Sequence, residues 1–283
     1  WHSSHASARL PRPSVRPGGT ASARPVRAAV PGGVVPASVP VMTVTWEESG
    51  WEQLAPGVGR RRLPGWDCTA GLVVGADAVL AVDAGSSLAE GARLRSEARE
   101  LTGRRVTHLA LTHPHFDHVL GAPAFADAEV YGAVGLDVAL AGRGRDELRA
   151  DAVRWGLDPA EADEAVAALV PPRHAVSGEW TLDLGGGRQA LLADIGPGHT
   201  AYDLVVLVAG DPEVVFCGDL VEESDEPQAG PDAVPSRWPD ALDRLLRLGG
   251  EDAVYVPGHG AVVDAAFVRA QRDTLAARFG VSE

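Results

Sequence analysis

The run Thr112-His113-Pro114-His115-Phe116-Asp117-His118 puts three imidazoles and a carboxylate into six positions, directly after the apolar segment 106–111. No other stretch limits the possible folds as strongly. Side chains that share a cation must be fixed to within a fraction of an ångström, which calls for loops projecting from a rigid scaffold. His113 and His115 are two apart, so on extended backbone they face the same way and can grip one cation. Asp117 and His118 follow as the chain turns into the next helix, and they can reach a second cation alongside. Zinc and similar borderline ions accept imidazole nitrogen and carboxylate oxygen together. Neither set completes a coordination sphere, so the fold has to bring further donors from distant parts of the chain.

Three candidates stand downstream: His199 in Gly196-Pro197-Gly198-His199-Thr200, Asp219 in Cys217-Gly218-Asp219, and His259 in Pro257-Gly258-His259-Gly260. Each has glycine beside it, and small neighbours allow backbone and ligand to approach closely. Five of the nine histidines thus fall where a strand ends in a loop. His108 lies inside a strand and His174 precedes one, and both read as structural; His2 and His5 belong to the N-terminal segment.

Composition narrows the chemistry. The formal net charge of −14 conceals an uneven distribution, because residues 1–41 carry five arginines and no acid, leaving −19 for residues 42–283. A body that acidic repels phosphate backbones, so the expected substrate is a small molecule and not a nucleic acid. With only Cys68 and Cys217, neither a disulfide framework nor a cysteine-based zinc site is expected, and imidazoles and carboxylates must carry any metal. Cys217, in an apolar strand-like run, reads as a buried inert thiol. The chain has no lysine, which excludes Schiff-base and P-loop lysine mechanisms.

Residues 1–41 are dense in Pro, Gly, Ser, Ala and Arg without helical or strand period, and are expected to be a disordered leader or an over-extended N-terminus. The sole methionine, Met42, stands where the composition changes and is taken as the natural start of a single domain spanning 42–283. Within it the pattern predicts hairpins over 68–82, 180–193 and 204–217, and a helix over 87–102. A buried strand is expected over 106–111 and two helices over 136–169. A polar, proline-rich loop over 221–235 is followed by a helix from Trp238, a strand over 253–256 and a closing helix from Asp264. Arg60-Arg61-Arg62 reads as a solvated loop. The segment Gly196 to Ala201 fits G-x-G-x-x-A, but a strand follows where a dinucleotide site needs a helix, and Pro197 removes a phosphate-binding N–H. No run reaches membrane-spanning length, and a cytoplasmic location is expected. Strands grouped around hairpins, with helices between and after them, suggest helices packed outside a pair of sheets.

The order Asp83, HxHxDH, His199, Asp219, His259 resembles the metallo-β-lactamase superfamily of metallo-hydrolases over about residues 50–279. The resemblance implies an α/β fold of the αββα sandwich type, with two divalent metal ions, zinc first and iron or manganese as alternatives, at one edge of the sheets. It also implies that His113, His115 and His199 hold one metal and Asp117, His118 and His259 the other, with Asp219 bridging them. Asp83 would support the metal-binding loop without being a ligand. Two bridged metals would hold a water and bring its pKa near neutral, giving a hydroxide nucleophile, with Asp117 orienting it or shuttling its proton.

Substrate is read by contrast within that family. True β-lactamases usually carry cysteine or serine at the bridging position, where this chain keeps Asp219. Glyoxalase II enzymes add a helical domain after the last histidine, whereas 24 residues follow His259. Acyl-homoserine lactonases often have tyrosine three residues after the bridging aspartate, where Glu222 stands here. Flavodiiron proteins have glutamate at the position of His115. A hydrolase of an ester, thioester, lactone or similar small molecule remains, its pocket walled by residues 136–172 and the 221–235 loop near Trp238. One alternative is a persulfide dioxygenase-like enzyme with a single iron held among His113, His115, His199 and Asp219. A non-catalytic, metal-stabilised binding module is the other. Oligomeric state is not legible.

Overall fold

The computed structural model describes residues 45–281. The expectations for residues 1–41, for Met42, and for His2 and His5 lie outside the described residues. The first half runs β1 (Glu52–Ala55), β2 (Val58–Arg62), β3 (Thr69–Val74), β4 (Val79–Val82), α1 (Leu88–Thr102), β5 (His108–Ala110), α2 (Phe116–Val119), β6 (Glu129–Ala133), α3 (Leu136–Ala139), α4 (Arg143–Arg154), α5 (Pro159–Ala168) and β7 (His174–Val176). The second half runs β8 (Glu179–Asp183), β9 (Gln189–Asp194), β10 (Leu204–Val208), β11 (Val214–Glu222), α6 (Trp238–Gly249), β12 (Val254–His259) and α7 (Ala265–Phe279).

Local chemistry sets these boundaries. Extended Ser87 caps α1 by accepting from the Glu90 N–H, and left-handed Gly103 ends it. Asp264 caps α7 in the same way through the Phe267 N–H. Strands β1 to β7 form one sheet in sequence order, antiparallel as far as β4 and parallel from β4 to β7. The other sheet has the order β12-β11-β10-β9-β8, antiparallel except for the parallel β11–β12 pair.

Alternation along the strands buries both faces of both sheets. In β10, Leu204, Val206 and Val208 join the core between the sheets, while Val205 and Leu207 face the outer layer with α6 and α7. In β4, Leu80 and Val82 point inward, while Val79 and Ala81 meet the layer containing α1, α4 and α5. Three hydrophobic clusters therefore separate four layers, helices on sheet on sheet on helices. This is the αββα sandwich expected. The two sheets pack tightly where Gly71 of β3 meets Phe216 of β11: a Cβ on Gly71 would lie 2.5 Å from the phenyl ring. Among the described residues no helix is long and apolar enough to cross a membrane.

Three expectations need correction. Segment 136–169 holds three helices, because the single turn α3 stops before Gly142, whose φ of 50° breaks the run into α4. Arg60-Arg61-Arg62 is strand, not solvated loop. Arg60 is buried, pairing with Glu52 and donating to the Gly260 carbonyl, and Arg61 pairs with Glu97, so partners on both sides keep these cations inside the fold. Trp238 is fully buried and donates from Nε1 to the Leu220 carbonyl, which makes it core of α6 and not a pocket wall.

Candidate metal centre

Every expected site residue lies at the same edge of the sandwich. Asp83 follows β4, the HxHxDH motif follows β5 and runs into α2, His199 follows β9, Asp219 sits within β11, and His259 ends β12. The β11–β12 register shifts between Phe216 and Gly218 and again before Glu222. This irregularity brackets Asp219 and breaks the regular ladder at that residue. The Leu204 N–H donates to the Thr112 carbonyl at 2.8 Å, stitching the two sheets together beside the motif.

The donors fall into two groups that share Asp219. His113, His115, His199 and Asp219 form one, with ligand atoms within 4.8 Å of one another, and His118, Asp219 and His259 form the other. Asp219 Oδ2 lies 3.6 Å from His113 Nε2, 3.4 Å from His199 Nε2 and 3.3 Å from His259 Nε2, and its Oδ1 lies 3.1 Å from His118 Nε2. Asp117 Oδ2 is 3.3 Å from His259 Nε2 and 3.7 Å from His118 Nε2. The seven residues expected as ligands are thus gathered at one place.

Hydrogen bonds on the far side of each ring fix its tautomer. His113 Nδ1 faces Thr112 Oγ1 at 2.9 Å, and that hydroxyl donates in turn to Asp83. His118 Nδ1 meets Asp83 Oδ2 at 2.8 Å, and His259 Nδ1 donates to the Trp66 carbonyl at 2.8 Å. His199 Nδ1 donates to the Gln228 carbonyl at 3.1 Å. His115 is turned the other way: its Nε2 meets Asp232 Oδ2 at 3.0 Å, and its Nδ1 faces inward. Five acceptors outside leave five bare nitrogens inside.

Those inward lone pairs test whether a cation fits. His115 Nδ1 and His199 Nε2 stand 2.9 Å apart, and His118 Nε2 and His259 Nε2 stand 3.5 Å apart. Lone pairs held face to face repel unless a positive charge sits between them. Among the described residues, buried His113 Nε2 and Asp219 Oδ1 have no well-aligned hydrogen-bond partner, close as His118 Nε2 comes to that oxygen, an arrangement that is costly without a cation. The donor set of imidazoles and carboxylates suits a borderline divalent ion. The residues fit the group.

A family model of the metallo-β-lactamase superfamily matches residues 63–259. The chain belongs to that superfamily. Solved structures of other superfamily members share the fold. The metallo-β-lactamase FIM-1 from Pseudomonas aeruginosa in its mono-zinc form is 19% identical, with 82% of this chain and 96% of that one covered at a TM-score of 0.60. DIM-1 metallo-β-lactamase is 18% identical, covering 81% and 97% at 0.62. The Erythrobacter litoralis metallo-β-lactamase with β-mercaptoethanol in its active site is 19% identical, covering 80% and 96% at 0.59. At these identities the likeness is one of fold. No curated protein matches the chain.

The electrostatics suit this superfamily's metal site. Burial lowers the His259 pKa, but Asp219 and Asp117 reverse this and push it up to about 12. Burial likewise opposes charge on His118, and the carboxylates of Asp219, Asp117 and Asp83 outweigh burial and raise its pKa well above the ordinary imidazole range. Asp219 is driven up by burial and further down by His259, His118 and His113, ending well below the usual carboxylate range. A field that favours a proton at this point favours a divalent cation too. His113 and His199 go the other way, held low by burial, His199 at about 4, which keeps both rings neutral and able to ligate.

Asp83 adopts a φ of 58°, rare for a non-glycine residue. Its carboxylate accepts from the Thr112 N–H and hydroxyl and holds His118. Several contributors went unread in the sequence. Asp232 and Gln228 are ordinary members of a polar loop, and Trp66 acts through its carbonyl, which no side-chain pattern can announce. With only two cysteines in the chain, Cys68 has no expected part in a metal site. It is buried with Sγ 3.2 Å from the Asp117 carbonyl and 3.7 Å from His118 Nε2, grouped with Asp117 and His118. Burial pushes its thiol up to about 11, so it stays protonated beside the second group.

Proposed function

We propose that this chain is a metal-dependent hydrolase acting on an ester, thioester, lactone or similar small molecule, through two divalent ions, zinc first, that share Asp219. The single observation that carries the reading is the pair of converging donor groups, with five tautomer-fixed imidazoles and Asp219 common to both. His113, His115 and His199 would hold one ion, and Asp117, His118 and His259 the other. When bound, such ions lower the pKa of a coordinated water and polarise the bond to be cleaved.

The chain's own residues supply the rest. Asp117, buried and within 3.3 Å of His259 Nε2, would take the proton released by the attacking water and pass it to the leaving group. Asp83 and Thr112 hold His118 and His113 against rotation, so the nitrogens that face the reaction stay aimed there. The net charge of −19 on residues 42–283 disfavours a polyanion and supports a small substrate. Asp219 in place of cysteine or serine supports a reaction other than β-lactam hydrolysis, although the similar solved structures are β-lactamases.

The test is elemental analysis of protein purified without added metal, beside Asp219→Ala. About two ions per chain, falling sharply in the variant, with turnover on a panel of esters, thioesters and lactones, is the expected result. A single iron would overturn it in favour of an oxygen-using enzyme, and no metal in either protein would mean that the centre does not assemble.

A further inference from the structure

The two halves of the centre share one anchor and differ in another: Asp83 backs His118 directly and His113 through Thr112, whereas only the first half also leans on the stretch between β11 and α6. His118 and His259 lean on Asp83, which is 2% exposed, and on the Trp66 carbonyl. His115 and His199 both lean on the stretch 223–234 between β11 and α6, through Asp232 and the Gln228 carbonyl. That stretch is tied down along its length. The Ala261 N–H donates to Glu223 at its start, Arg278 of α7 donates to the Pro227 carbonyl midway, and the Val234 N–H donates to the Gly198 carbonyl, next to His199, at its end.

From this juxtaposition we infer that segment 223–234 is a strap that orients the first metal position selectively, with Asp232 as its positioning residue acting through His115. His115 is the one imidazole of the five that turns Nδ1 inward. A free imidazole places its proton on either nitrogen, so an acceptor beyond Nε2 is needed to keep Nδ1 bare. Asp232 is that acceptor. Its side chain is 46% exposed, so removing it opens no cavity and leaves the core intact. The strap also meets the second position where it begins, the Glu223 N–H donating to the His259 carbonyl at 3.2 Å. Among the described residues, however, Asp232 and the Gln228 carbonyl bond to His115 and His199 and to neither His118 nor His259, so the loss of Asp232 should not register there. The inference rests on the metal-centre reading above and adds to it an asymmetry between the two positions.

The experiment titrates zinc into the full-length, metal-stripped protein against a chromophoric chelator, for wild type, Asp232→Ala, Asp232→Asn, His115→Ala and the His115→Ala/Asp232→Ala double variant. The expected result is that Asp232→Ala weakens one of two binding steps about 10–100-fold and leaves the other unchanged. Asp232→Asn, whose amide oxygen still accepts from Nε2, should recover most of the loss. In the His115→Ala background, removing Asp232 should have no further effect. Equal weakening of both steps, no weakening of either, or an additive loss in the double variant would overturn the inference. A wild type that binds no zinc would instead overturn the metal-centre reading itself. Thermal melts of the stripped proteins should coincide for wild type and Asp232→Ala, and a large drop in the variant would overturn the positioning role in favour of a structural one.

Discussion

Asp219 reaches both donor groups because the neighbouring strand leaves it room. A Cβ at Gly258 would come within 1.8 Å of Asp219 Oδ1. Gly258→Ala should therefore push the carboxylate out of the space between the groups, lowering zinc affinity at least about tenfold while the fold persists; equilibrium dialysis beside circular dichroism checks both halves. Asp203 offers a pH test. It is buried, accepts from the Thr200 N–H and hydroxyl, and burial raises its pKa to about 7. A carboxyl raised in the folded state contributes stability that is fully present below its unfolded pKa and lost as pH rises through the folded value. Wild type should accordingly lose stability relative to Asp203→Asn between about pH 4 and pH 7, by roughly 4 kcal/mol at most, seen in paired melts across that range. The ligand histidines were legible because HxHxDH concentrates rare side chains at short spacing. Asp232 was not, because a lone aspartate in a polar loop becomes informative only once folding has carried it to His115.

Elements were read best where turn chemistry is explicit. Gly185-Gly186-Gly187 all take positive φ, and the hairpin they close, β8–β9, matches its expected span to within a residue at each end. Strands β1 and β2 were not read, since arginine and glutamate interrupt their pattern and their ion pairs form only across the fold. Helix α6 starts at Trp238 as expected, but that residue, expected beside a pocket wall, is core: its partners, the Leu220 carbonyl and His199, are distant in sequence and meet it only through the fold. Its ring lies edge-on to His199 with centroids 5.3 Å apart. Trp238→Ala should cost about 3–5 kcal/mol and loosen His199 as well, so that urea melts show the instability and zinc titration shows a weakened step.

At the scale of the molecule, strands grouped around hairpins with helices between and after them were enough to suggest layered helices and sheets. The sheet order was not legible, because strand pairing is set by crossovers that leave no local signature. The layering also has a mechanical consequence. The sheet of β1 to β7 carries the HxHxDH motif, and the sheet of β8 to β12 carries Asp219 and His259. The gauge of the gap between the sheets is thus the gauge of the centre, and at Gly71 against Phe216 that gap has no room for a Cβ. Gly71→Ala should act as a wedge: about 1–3 kcal/mol of lost stability, together with weaker zinc binding, from a methyl group on a residue that touches no ligand. Were the melting temperature to fall with zinc affinity untouched, the spacing would be absorbed by the loops. The sandwich core is in this sense a caliper whose jaws are the two ligand sets.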